Sequence, residues 1–177
     1  MPTIVYEIFP ITLHEGRVVL LQREHGGSLA PWYVQCDLCL HPSHAVSRAV
    51  EAHFGPLFDP RTSVVHSTSW RYESGPEGEG RIVLTYLAVF PSGCWLRAWI
   101  EEGRLTLRDV DGVRLSRGGN GPPPDVISSD QVLAHALEHL AMLVEVDTAV
   151  RSALIPEWEP ALRGRLPLPA GYPQAWV

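Results

Sequence analysis

The spacing of apolar residues changes period along this chain, and that change constrains its fold more than any other feature. The opening runs "TIVYEIFPITL" and "RVVLLQRE" are dense in β-branched residues, and the "HEG" between them supplies the glycine a tight hairpin turn needs. Pro10 has no N–H to give a ladder, so it demands an edge or bulge position in its strand. "WYVQCDLCL" is a further extended segment. The period then lengthens: Val46, Ala49, Val50 and Phe54 fall at i, i+3, i+4 and i+8, which predicts a helix over about 43–55. Ser43 is its expected N-cap, and Gly55 followed by Pro56 its stop.

Alternation returns in "SVVHSTSWRYE" and "GRIVLTYLAVF", two strands separated by the glycine-rich "SGPEGEG". "CWLRAWIEE" and "LTLRDVDGVRL" read as further strands. "SRGGNGPPPD" is a linker by composition, stiffened by three prolines. Beyond it "SSDQVLAHALEHLAMLVEVDTAVRSAL" reads as one long helix with Leu133, Ala136, Leu137, Leu140, Leu143 and Val144 along one stripe. The proline-rich tail is expected to lie over the domain in an irregular path. The resulting fold class is α+β: a mixed β-sheet with a helix at about 43–55 and a long C-terminal helix. Residues 1–115 form the main domain and 116–127 a Gly/Pro-rich linker. Residues 128–177 are a helix and tail packed on the same domain.

Composition excludes several functions. All fourteen basic residues are arginine, so Schiff-base chemistry and a P-loop, which both require lysine, are ruled out. A net charge of −6 argues against charge-driven binding of nucleic acid, and none is expected as a partner. No apolar run approaches the roughly 18–20 residues of a membrane span. The amino terminus lacks the basic stretch of a secretory signal, and the odd count of three cysteines fits a reducing compartment. A cytoplasmic location is therefore expected.

The order hairpin, loop, tryptophan-led strand, loop and short helix ending in glycine resembles the Nudix hydrolase family. "GRVVLLQRE" looks like that family's second strand, and Trp32 sits where it commonly has a tryptophan. The family's helix reads Ala-Ala-x-Arg-Glu-apolar-x-Glu-Glu-x-Gly. Here Ala45, Val46, Arg48, Val50 and Gly55 match its scaffold positions. The acidic positions do not match: Ala49, Ala52 and His53 stand where the resemblance implies three glutamates, and Glu51 falls at a variable position. Upstream, "QCDLC" replaces the Pro-Gly-Gly segment, and the loop glutamate has given way to something near Leu40 or His41. Nudix enzymes cleave pyrophosphate linkages with magnesium or manganese held by clustered carboxylates. Alanine offers no ligand to such an ion. The resemblance therefore implies the fold without the ordinary hydrolysis.

Other chemistry-bearing residues have plainer readings beside them. Cys36, Cys39, His41 and His44 are zinc-competent, but the pairs nearly abut, and a strand would turn the two thiols to opposite faces. "HALEH" matches the inverted zinc-protease pattern, yet on a helical wheel His135 and His139 fall away from the apolar stripe and are expected to face solvent. In "STSWRYE", alternation puts Trp70 and Tyr72 on one face and Arg71 on the other. The aromatic pair could stack a base with Arg71 on phosphate, or it could be core packing with an edge salt bridge, which is the plainer reading.

The leading expectation is a non-catalytic Nudix-like binding or regulatory protein that recognises a nucleotide, another small molecule or a protein partner, without metal or cofactor. Arg23, Trp32, Trp70 and Arg71 are its expected ligand-binding residues. One alternative is an atypical hydrolase of nucleoside diphosphate-linked substrates with ligands drawn from outside the helix. Another is a structural protein that self-associates as a homodimer through the C-terminal helix.

Overall fold

The structure, a computed structural model, describes residues 3–22, 32–35, 40–74, 80–115 and 127–170. Strand β1 (Thr3–His14) turns through Glu15 and Gly16, at φ 52° and 76°, into β2 (Arg17–Gln22). Two successive positive φ values give the turn a twist that suits a two-residue hairpin. Then follow β3 (Trp32–Gln35), α1 (Pro42–Phe54), β4 (Val64–Ser74), β5 (Gly80–Val89), α2 (Cys94–Glu101) and β6 (Thr106–Asp109). Three helices close the described chain: α3 (Ser129–Val146), α4 (Thr148–Leu154) and α5 (Glu159–Leu162).

The sheet runs β4-β5-β1-β2-β6, with β3 also paired to β1. It is mixed: β1 and β5 are parallel, and the other pairs are antiparallel. β1 lies at its centre because its run from Tyr6 to Leu13 is buried throughout, as a strand covered on both faces must be. One face carries Phe9, Ile11, Leu13, Leu87 and Val89 and packs on α3, α4 and α5. The other carries Tyr6, Ile8, Tyr86, Ala88 and Phe90 and packs on α1 and α2. The result is three layers, helix–sheet–helix, with two cores. Among the described residues no helix is long and apolar enough to cross a membrane.

Several expectations need correction. Pro10 is not on an edge strand. Phe90 N–H donates to Ile11 O (2.9 Å), so Ile11 faces β5 and Pro10 faces the other way. There β3 has ended at the Ile8–Trp32 pair and β2 begins at Ile11–Leu20, so the missing N–H falls in the gap between two partners. Ser43 does not cap α1: Pro42 is already inside the first turn and His41 is the N-cap residue. The stop is as expected, with Gly55 at φ 55°.

"CWLRAWIEE" is α2, not a strand. Leu96 and Trp99, three apart, are buried, and Arg104 lies 3.8 Å from the Trp99 ring centroid. "LTLRDVDGVRL" yields only the four-residue β6. The long helix breaks at Asp147, whose carboxylate accepts hydrogen bonds from the backbone N–H groups of Ala149 and Val150 and so starts α4. The start of α3 carries a capping box between Ser128 and Gln131. The tail holds one further short helix, α5, rather than being irregular throughout. The apolar stripe of α3 is covered within the chain by the sheet, α4 and α5.

Candidate functional site

α1 is set on the sheet by Val46, Val50 and Phe54, at 0%, 0% and 2% exposure, as their spacing requires. Phe54 packs on Phe90, with ring centroids 4.8 Å apart. Arg48, Glu51 and Ala52 are exposed, and Ala49 and His53 are half-buried on the flank beside β3. There His53 stacks on Trp32 with centroids 4.5 Å apart and planes at 26°. Phe54 meets the same indole edge-on at 5.9 Å.

The sheet face that α1 covers continues past the helix into the open. Register aligns Trp70, Leu84, Tyr6 and Val34 in one row across β4, β5, β1 and β3. Tyr72, Ile82 and Ile4 form the next row. On this stretch Trp70 is 66% exposed and Tyr72 58%, while Leu84, Ile82, Ile4 and Val34 are half-buried. The aromatic pair is therefore a surface, not core. Tyr72 lies across Gly80 so closely that a Cβ there would fall 1.7 Å from its hydroxyl oxygen. Glycine at that position is what lets the ring lie flat. Trp32 sits three strands from β4, about 14 Å away at the usual strand spacing.

Arg71 points to the opposite face, as alternation predicts, and is already occupied. Its Nη1 donates to Glu7 Oε2 (2.6 Å) and its Nη2 to Glu7 Oε1 (3.0 Å). Thr85 Oγ1 and Tyr33 OH donate to the same carboxylate at 3.0 and 3.2 Å. Glu73 accepts from Arg71 and from Arg81, each at 2.7 Å, and Arg81 lies 4.9 Å over the Tyr33 ring. Glu7 is fully buried, so this fork is a charge pair removed from water rather than an open phosphate site. Burial acts to raise the Glu73 pKa, but the hydrogen bonds and charges of Arg81 and Arg71 hold it below the ordinary carboxylate range. Burial and the Glu7 carboxylate together raise the Tyr33 hydroxyl.

Of the expected site residues, Trp32 and Trp70 lie on the α1 face and Arg71 lies on the other. Arg23, Cys36, Cys39 and the linker up to residue 126 are outside the described residues. His41 and His44 have ring centroids 5.8 Å apart. Among the described residues no group of three or more His, Cys, Asp or Glu is placed to hold a metal ion. His135 and His139 do not face solvent: they are 8% and 2% exposed, because the segment after α5 lies along α3, where Leu168 bonds both Glu138 O and the His139 ring. Sequence reasoning missed Glu7. A lone carboxylate inside "TIVYEIF" was the available sign that an arginine had to meet it.

No protein-family model matches the sequence, and no curated protein is similar to it. Solved structures do match. NrtR of Shewanella oneidensis superposes with a TM-score of 0.58 at 10% identity, covering 93% of this chain and 79% of that one. A MutT/nudix family protein from Enterococcus faecalis superposes at 0.50 and 11% identity, covering 88% and 69%. The fold is Nudix-like. At such identities the likeness shows the fold alone.

Proposed function

We propose that this Nudix-like chain is a binding protein without pyrophosphatase activity, whose ligand lays a flat ring, such as a nucleobase, on Trp70 and Tyr72. The observation that carries the reading is the exposure of these two side chains, 66% and 58%, on the same sheet face as α1. Large aromatic surface left in water at a sheet face is costly unless something covers it, and a base offers a π-face of matching size. The flank of α1 beside β3 supports the non-catalytic part. It presents Ala49, Ala52 and an imidazole already stacked on Trp32, which give magnesium or manganese none of the oxygen ligands they require. Phosphate contact falls to Arg23 in this reading, since Arg71 is held by Glu7.

The test is a fluorescence titration with nucleoside mono- and diphosphates in EDTA. Saturable quenching is expected, weakened about tenfold or more by Trp70→Ala, as loss of one stacked base implies. Unchanged affinity in both Trp70→Ala and Tyr72→Ala would remove the proposed surface from the account.

A further inference from the structure

We infer that His66 of β4 and His139 of α3 form the core of a binding site for a late transition-metal ion, of the zinc, cobalt or nickel type. The site lies on the sheet face opposite α1 and stands independently of the proposed ligand surface. Its geometry begins with tautomers. His66 Nδ1 lies 2.7 Å from Ser67 O, and His139 Nδ1 lies 2.9 Å from Leu168 O. A carbonyl oxygen only accepts, so both Nδ1 atoms carry hydrogen and both Nε2 atoms keep a lone pair. This is the arrangement of metal-binding histidines, in which a backbone carbonyl fixes the ring and leaves the other nitrogen to the metal.

The spacing fits as well. Two imidazoles bound through Nε2 at about 2.0–2.1 Å, at a tetrahedral angle, place their ring centroids roughly 5 Å apart. The centroids of His66 and His139 are 5.4 Å apart and the planes are tilted by 50°. His139 is 2% exposed, and among the described residues nothing hydrogen-bonds its Nε2. His135 is one helical turn away and 8% exposed, and among the described residues nothing hydrogen-bonds either of its ring nitrogens. A polar nitrogen buried without a partner is costly, and a metal ion removes that cost.

Among the described residues no third ligand converges on the pair, so the set is completed by His135 turning about its side chain or by water. Imidazole nitrogen selects late transition ions over magnesium, which demands oxygen. A groove of about 360 Å³, which His66 lines together with Phe58, Arg61 and Val150, opens the His66 side of the pair.

The test is titration of EDTA-stripped full chain with cobalt(II), then zinc(II), read by visible absorption and equilibrium dialysis. One equivalent of cobalt is expected, displaced by zinc, with affinity lowered about tenfold or more in His66→Ala. His66 is half-buried and its removal leaves the α3 core in place, so the fold of this variant is secure even where His139→Gln fails to fold. The variant Cys36→Ser/Cys39→Ser/His41→Ala should bind as the wild type does. No stoichiometric uptake of either ion would overturn the site and leave water on these nitrogens. Uptake unaffected by His66→Ala, or lost in the cysteine variant, would overturn it equally.

Discussion

Glu7 shows how one residue can organise a sheet face. Its carboxylate is wholly buried and meets Arg71, Thr85 and Tyr33. Replacing Arg71 by methionine keeps the volume but strands that charge, so Arg71→Met should cost about 3–5 kcal/mol in urea unfolding at neutral pH. A loss below roughly 1 kcal/mol would mean the fork behaves as an exposed pair. Glu73 gives the pH dependence of the same network. Its folded pKa lies below the ordinary 4.5, so its contribution is fully present above that value and is lost as pH falls through the folded one. Unfolding curves collected from pH 6 down to pH 3 should therefore fall less steeply at the acid end in Glu73→Gln than in the wild type. Parallel curves would separate Glu73 from the acid response. Arginine and glutamate were visible in the sequence as residues, but their pairing across β4, β5 and β1 depends on strand order, which alternation does not encode.

At the scale of elements, α1 was legible because three large apolar residues at helical spacing end at Gly55. The structure buries those three. Phe54, 2% exposed and packed on Phe90 and Trp32, should cost about 3–5 kcal/mol on truncation to alanine, measured by chemical denaturation. A much smaller cost would mean the site collapses and that α1 is not anchored as described. α2 reads as a strand for a physical reason: "CWLRAWIEE" is short and rich in aromatic and branched residues that favour strands, although Trp95, Leu96, Trp99 and Ile100 also fall at helical spacing. Tertiary packing against the α1 core decided the outcome. The break at Asp147 was written in the sequence as an N-cap residue, but the continuous apolar spacing on both sides hid it. On a helical wheel His135 and His139 fall to solvent, because the wheel sees one covered face whereas α3 is covered on two.

Over the whole molecule, the order of strands and helices carried the fold, and two solved structures at 10% and 11% identity share it. What sequence could not supply was which surface stays open. Trp70 and Tyr72 read most simply as core, and only their place on an edge strand beyond the reach of α1 leaves them exposed. In the function proposed above, this Nudix-like fold binds its ligand without a divalent ion and without turning it over. Isothermal calorimetry of a dinucleoside polyphosphate against the full chain, in EDTA and again with magnesium, tests both halves together. The expected record is the same saturable binding heat in each buffer, with a flat baseline after every injection. Binding that appears only with magnesium, or a sustained heat of hydrolysis after injection, would contradict it.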